Sequence, residues 1–168
     1  SVVAENSEIH FRMLARCHGS DVRMEQADAA LERVYGNSQR KLNNACDLGD
    51  DNVSLVRGVM RKLENTIGWH INQASGNNGD TPLIFAAQQG HIAVVELLVK
   101  EGQADVNQAQ KDGVTPLIMA AYQDHSAVAE LLVKGGADID SAKKFALHQK
   151  LPVILPKLDM YILTLKMG

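Results

Sequence analysis

The sequence predicts an all-α solenoid in which short helix-turn-helix units stack on one another. The first observation is internal repetition: residues 80–102 lie over residues 114–136 with sixteen of twenty-three positions identical. The second is that apolar residues recur at helical spacing in both copies, between glycines that can end the helices. The third is an aromatic content of only 4%, which is low for a β-rich fold. Self-similarity at this period is typical of stacked supersecondary units.

Each copy predicts a tight turn followed by two antiparallel helices. Thr81-Pro82 and Thr115-Pro116 start the first helix, with Thr as the N-cap and Pro at the first helical position. In the second helix, Leu97 and Leu131 are expected to lie buried between helices. A single unit cannot bury its own apolar stripe, so stacking must bury it between neighbouring units.

The two copies resemble the ankyrin repeat through the segments TPL-x-x-AA, GH-x-x-VVELLV and G-x-ADVN. The resemblance implies an ankyrin-repeat solenoid with projecting β-turn fingers, and a concave face made of fingers and first helices. It also implies a protein that binds other proteins and has no chemistry of its own. Two features depart from the family pattern. Ile84 and Ile118 replace the His that usually follows TPL, and Asp124 replaces the Gly that ends a first helix, where Gly adopts the left-handed conformation more readily. These departures bear on stability more than on fold.

The repeat array is expected to contain one degenerate unit before the two clear ones. The degenerate unit keeps Leu42 and Cys46 where TPL-x-x-AA has its Leu and its second small residue, but it lacks Thr-Pro. It is also longer than the others, with the surplus around Leu63–His70, which carries the only Trp, Trp69. We therefore divide residues 41–140 into unit 1 (41–78), unit 2 (79–112) and unit 3 (113–140).

The two ends of the chain do not follow the repeat. Residues 1–40 contain two apolar stripes at helical spacing, which predict a helical N-terminal cap or extension; a separate interaction module is the alternative. No Thr-Pro starts a fourth unit after residue 140, and Pro152 and Pro156 interrupt the segment that follows. Residues 141–168 are therefore expected to form an irregular C-terminal cap.

Composition argues against several classes of partner and compartment. The formal net charge of −3 gives no electrostatic reason to expect nucleic acid or an anionic membrane. No apolar run approaches the roughly 20 residues that a membrane-spanning helix needs. Cys17 and Cys46 do not make a disulfide framework, so both are expected to be free thiols. We expect an intracellular protein, either cytoplasmic or nuclear, and a monomer.

The sequence contains no arrangement typical of catalysis, cofactor binding or metal binding. Cys17 and His18 are adjacent, and neighbours on a helix point about 100° apart, which argues against a nucleophile-base pair. The six His residues do not pair with other ligands at a metal spacing. The acidic group Asp47-Asp50-Asp51 lacks the spacing of a calcium loop and is expected to be a solvated helix end. His91 and His125 are interpreted as turn residues of the repeat.

The resemblance implies a scaffold that binds another protein through its concave face. Two other classes remain open: the targeting portion of a larger enzyme or effector, and a homo-oligomeric structural part assembled through its end caps. Carried over residue by residue, the variable positions of the family predict finger-tip and inner-helix contacts, with Phe85, Met119 and Tyr122 as candidate anchors. The complete predicted set comprises Asn77, Asn78, Asp80, Phe85, Gln88, Gln89, Ala109, Lys111, Asp112, Val114, Met119, Tyr122 and Gln123.

Overall fold

The computed structural model describes residues 40–64, except 41, 44, 47 and 48, and residues 71–167. The predicted N-terminal cap, apart from residue 40, lies outside the described residues, as do Cys17 and Trp69. Residues 40, 42, 43, 45 and 46 are helical, and a 3-10 turn at Asp50–Asn52 follows them. The described ranges then contain seven further helices: α1 (Val53–Glu64), α2 (Pro82–Gln89), α3 (Ile92–Lys100), α4 (Pro116–Tyr122), α5 (Ser126–Lys134), α6 (Ile139–His148) and α7 (Ile154–Met167). The predicted all-α repeat fold is confirmed.

The first helices of units 2 and 3 begin at the Thr-Pro pairs, as predicted. Thr81 Oγ1 accepts a hydrogen bond from the backbone N–H of Ile84 at 3.3 Å. Thr115 Oγ1 accepts one from Ile118 N–H at the same distance. Each threonine thereby satisfies a backbone donor that has no partner inside the helix, while the proline that follows gives up no hydrogen bond.

The helices stack as antiparallel pairs around one continuous apolar core. Helix α2 packs on α3 and α4, helix α5 packs on α3 and α4, and α1 packs on α3. The first helices present alanines, including Ala87 and Ala121, which are fully buried and allow close approach between units. The second helices contribute larger side chains such as Leu98 and Leu132, which are also fully buried. Each unit therefore completes the core of its neighbour, which is why one unit is not expected to fold alone.

A ladder of asparagine side chains joins consecutive units. Asn72 Oδ1 accepts a hydrogen bond from Asp105 N–H at 2.7 Å, and Asn107 Oδ1 accepts one from Asp138 N–H at 2.8 Å. Asn107 Nδ2 also donates to the carbonyl of Gly136 at 3.2 Å. Because the same bond recurs one unit further along, Asn72 in the degenerate unit performs the same structural role as Asn107 in a clear one.

Unit 1 is tied to unit 2 by a carboxylate at the start of a helix. Asp50 Oδ1 accepts hydrogen bonds from the backbone N–H groups of Ala93 at 2.9 Å and Val94 at 3.2 Å, in the first turn of α3. The prediction of a solvated acidic helix end therefore missed this contact, which satisfies two N-terminal donors of another helix. Cys46, which precedes the 3-10 turn, is fully buried, and burial raises the pKa of its thiol to about 12.

The contact between units 2 and 3 depends on a histidine that faces a glycine. His125 Nε2 lies 3.0 Å from the carbonyl oxygen of Gln88 in the preceding unit. Gly90 ends α2 in the left-handed conformation at φ 75°, and a Cβ at this position would lie 2.6 Å from the His125 ring. Glycine is therefore required at position 90 for two reasons: it adopts the left-handed conformation without strain, and it has no Cβ that would collide with the His125 ring.

The corresponding position in unit 3 is Asp124, and its surroundings explain why glycine is not needed there. Asp124 adopts φ 63°, which is the left-handed conformation expected from its position. In place of a histidine ring, Lys157 of α7 approaches, pairing with the Asp124 carboxylate and donating to the carbonyl of Ala121 at 3.0 Å. The departure from the family pattern is thus matched by an ion pair that the C-terminal segment supplies.

The prediction of an irregular C-terminal segment is wrong, because α6 and α7 form a regular helical pair. Asp138 caps α6 by accepting from the N–H of Ser141 at 3.0 Å, and the two hydrogen bonds from Ser141 hold the pKa of Asp138 below its usual range. Pro156 is the third residue of α7, where a missing N–H costs no intrahelical bond. Leu158 and Tyr161 are fully buried where α7 packs on α4, α5 and α6.

The prediction that Leu97 and Leu131 are both buried between helices is right only for Leu97. Leu97 is buried, whereas Leu131 is half-buried and borders a surface hollow between α3 and α5 that Val99 and Ala127 also line. The fully buried residue at this point of α5 is its neighbour Leu132. Identical positions in a repeat therefore differ in burial, because different elements cover them.

Candidate functional site

A groove of about 560 Å³ lies between the fingers and the first helices of units 2 and 3. The fingers form the outer wall of the groove, and helices α2 and α4 form its floor. Helix α6 and the turn after α6 form its far end. Its lining residues are Asn78, Asp80, Gln88, Gln110, Asp112, Val114, Ile118, Met119, Tyr122, Gln123, Phe145, Gln149 and Leu151.

The outer wall is built from two fingers that are hydrogen-bonded to each other. Ser75 and Asp80 form an antiparallel bridge, with both N–H···O distances 2.9 Å, and this bridge closes finger 1 (75–80). Lys111 N–H of finger 2 (109–114) donates to Asn78 O at 3.0 Å, and Gln110 Nε2 donates to Asp80 Oδ1. The fingers therefore hold a fixed spacing, so little ordering is needed when a ligand binds beside them.

The floor presents one face of α4. Met119 and Tyr122 lie three residues apart, which places them on the same side of the helix, and Gln123 follows as its C-cap. Tyr122 is 61% exposed, and Met119 is half-buried. An aromatic side chain with this exposure, beside a methionine in a concave surface, is typical of the centre of a protein interface.

The far end is closed by α6, which the sequence analysis did not place at the site. In the alignment that pairs Ala137–Asp140 with Ala104–Asn107, residues 142–147 take the place of finger 2. They form helix instead, and Phe145 packs so closely on finger 2 that a Cβ at Gly113 would lie 3.0 Å from its ring. Phe145, Gln149 and Leu151 were missed because the repeat pattern stops at Asp140, so no family position exists to carry over.

The polar lining of the groove has one sign of charge. Asp80 and Asp112 contribute carboxylates, and no lysine or arginine lines it in the part of the chain that the structure describes. Asp112 Oδ1 accepts a hydrogen bond from Val114 N–H at 3.1 Å, which fixes the carboxylate at the tip of finger 2. Four glutamines add amide groups that both donate and accept hydrogen bonds: Gln88, Gln110, Gln123 and Gln149.

A family model described as ankyrin repeats, in three copies, matches residues 42–143. The chain belongs to the ankyrin-repeat family. The matched range covers the part of the chain in which three repeats were predicted, and ankyrin repeats are generally protein–protein interaction modules that are typically non-catalytic. A comparison with curated proteins gives no match.

The ankyrin fold brings eight of the thirteen predicted contact residues into the groove: Asn78, Asp80, Gln88, Asp112, Val114, Met119, Tyr122 and Gln123. The other five do not line it: Asn77, Phe85, Gln89, Ala109 and Lys111. Phe85 is half-buried on α2, and the Lys111 side chain lies against Gly79 of finger 1. Val114 lines the groove but is half-buried against the core, so it also supports the fold.

Within residues 40–64 and 71–167, apart from the gaps given above, no group of three or more His, Cys, Asp or Glu side chains is placed to hold a metal ion. In the same ranges, none of the helices combines the length and the apolar character needed to cross a bilayer.

Proposed function

We propose that this chain binds a segment of another protein in the groove between the fingers and the first helices. The observation that carries the proposal is Tyr122, a 61% exposed aromatic side chain on the floor of a groove of about 560 Å³. Concave sites with apolar floors and a few polar groups at their rims are the usual form of ligand pockets. Hydrogen bonds between the fingers and packing between α2 and α4 hold the surface in a fixed shape.

Position-specific photo-crosslinking tests the location of binding. A photoreactive amino acid replaces Gln123, which lines the groove, or Leu147, which is exposed on α6 and does not line it. Both proteins are irradiated in the cells that express the chain. We expect a covalent adduct with another protein from position 123 and none from position 147.

Two alanine variants of matched exposure then measure the contribution of the groove to affinity. Tyr122→Ala removes a side chain that is 61% exposed, and Leu147→Ala removes one that is 63% exposed. For the captured partner, Tyr122→Ala is expected to weaken binding by about 2 kcal/mol or more, which is over tenfold in Kd. Leu147→Ala should leave Kd within about twofold, because this side chain does not line the groove. A larger loss from Leu147→Ala than from Tyr122→Ala would place the interface elsewhere.

A second function is favoured by the outer face of α7. Met160, Leu163 and Met167 are exposed and lie three and four residues apart, so they share one side of the helix. This apolar stripe supports self-association through the C-terminal end. Sedimentation velocity should then show a mass that rises with concentration, and Leu163→Lys should abolish the rise. A constant monomer mass would exclude this function.

A further inference from the structure

The groove lining combines negative charge with aromatic rings. Asp80 and Asp112 supply the only charged side chains among the lining residues in the described part of the chain. Tyr122 and Phe145 line the same groove from α4 and α6. Carboxylates attract a cation by charge, and aromatic faces attract it through the ring quadrupole, so both groups favour the same class of side chain.

The glutamines add a second requirement that a ligand of the groove must meet. Gln88, Gln123 and Gln149 present amides from three different elements along the groove. An amide can pair with both the N–H and the C=O of a peptide backbone, whereas neither a metal ion nor a polyamine carries a carbonyl group that could accept from the amide N–H. The arrangement therefore fits a polypeptide that passes through the groove with its backbone accessible.

The apolar part of the lining adds a third requirement that a ligand must meet. Met119 and Leu151 line the groove together with the two aromatic side chains, so a wholly charged segment would leave this apolar surface without a partner. We infer that the groove binds a protein segment carrying an arginine next to an apolar side chain, an inference that rests on the proposed function. Arginine fits better than lysine, because a planar guanidinium can stack on Tyr122 and pair with a carboxylate through two hydrogen bonds.

A random peptide library displayed on phage tests the inference without knowledge of the partner. Selections are run in parallel on the unchanged protein and on Asp80→Asn/Asp112→Asn. Asparagine keeps an oxygen that can accept from Gln110 and Val114, so the double variant removes charge and leaves the finger hydrogen bonds possible. The matched control is Asp51→Asn/Asp140→Asn, which neutralises two exposed carboxylates outside the groove.

The unchanged protein and the control should enrich peptides with arginine beside Leu, Met or Phe, and the groove double variant should lose this preference. A peptide selected on the unchanged protein should bind the groove variant roughly three- to tenfold more weakly at low salt, with a smaller difference at high salt. Replacing its arginine with lysine should also weaken binding. Equal affinity of the arginine and lysine peptides would overturn the choice of arginine.

Enrichment of neutral or acidic peptides, or equal binding to the groove double variant, would overturn the inference. The proposed function would still stand if Tyr122→Ala abolished binding of those peptides. If the selected peptides bound Tyr122→Ala as tightly as the unchanged protein, the groove would not be the binding site. The proposed function would then fail, and the inference with it.

Discussion

Replacing Gly90 with Ala should destabilise the array through the contact between units 2 and 3. An alanine must adopt φ 75° at this position, and left-handed backbone costs about 1–2 kcal/mol for a residue with a Cβ. The added Cβ would also lie 2.6 Å from the His125 ring, so the ring must move away. Its hydrogen-bonding contact with the carbonyl of Gln88 is then lost, at a further cost of about 0.5–1.5 kcal/mol. Together these terms predict a loss of about 1.5–3.5 kcal/mol in the free energy of unfolding.

Urea unfolding followed by far-ultraviolet circular dichroism measures this loss, and a double-mutant cycle separates its two parts. In a His125→Ala background no ring opposes the new methyl group, so Gly90→Ala should cost only the left-handed strain. The coupling between the two positions should therefore be about 1 kcal/mol. An equal cost of Gly90→Ala in both backgrounds would refute the steric argument. A cost below about 0.5 kcal/mol in the unchanged background would refute the account of the junction as a whole, because surface changes alone produce effects of that size.

Two further predictions concern burial. Leu132→Ala should cost about 2–5 kcal/mol in the free energy of unfolding, because the side chain of Leu132 is fully buried. Leu131→Ala should cost roughly half as much, because Leu131 is only half-buried. Urea unfolding of both variants measures these losses, and a larger loss at Leu131 would contradict the packing of α5. In a Cys17→Ser variant, the only remaining thiol is that of Cys46. Because this thiol is buried and its pKa is about 12, it should resist a thiol reagent in the native state and react fully in urea. Rapid labelling of the native protein would contradict this expectation and show that the core of unit 1 opens.

The sequence was sufficient to predict the parts of this fold that repeat. Thr81 and Thr115 predicted the starts of two helices, because an N-cap residue and the proline after it act on the local backbone. Ile71-Asn72 is similar in sequence to Val106-Asn107, and Asn72 makes the same bond to the next unit as Asn107 does. Tyr122 was predicted as a contact residue from its position in the unit, and in the structure its side chain is exposed and lines the groove.

The features that could not be predicted depend on contacts between residues far apart in the chain. Lys157 reaches Asp124 only because α7 crosses the last unit, and local propensity does not contain that geometry. Pro156 suggested a break because a proline in a helix interior is costly, yet its position in the first turn removes the cost. Phe145 lines the groove because helix α6 stands where the repeat pattern would place a finger. The repeat pattern cannot predict this replacement. Leu97 and Leu131 also differ in burial, because different helices pack over them. The local sequence around the two residues is nearly identical and cannot specify this difference.

The asparagine ladder has a consequence for how such a chain can lengthen. Asn72 and Asn107 accept the same backbone bond from the unit that follows them, so the two faces of unit 2 are complementary to one another. A duplicated copy of this unit would find a matching acceptor on one side and a matching donor on the other. Beyond Asp138 the matching acceptor is missing, because Asp140 lies inside α6. Gene duplication can therefore add modules in the middle of the array, whereas growth past the third unit would first require the C-terminal helix pair to be displaced.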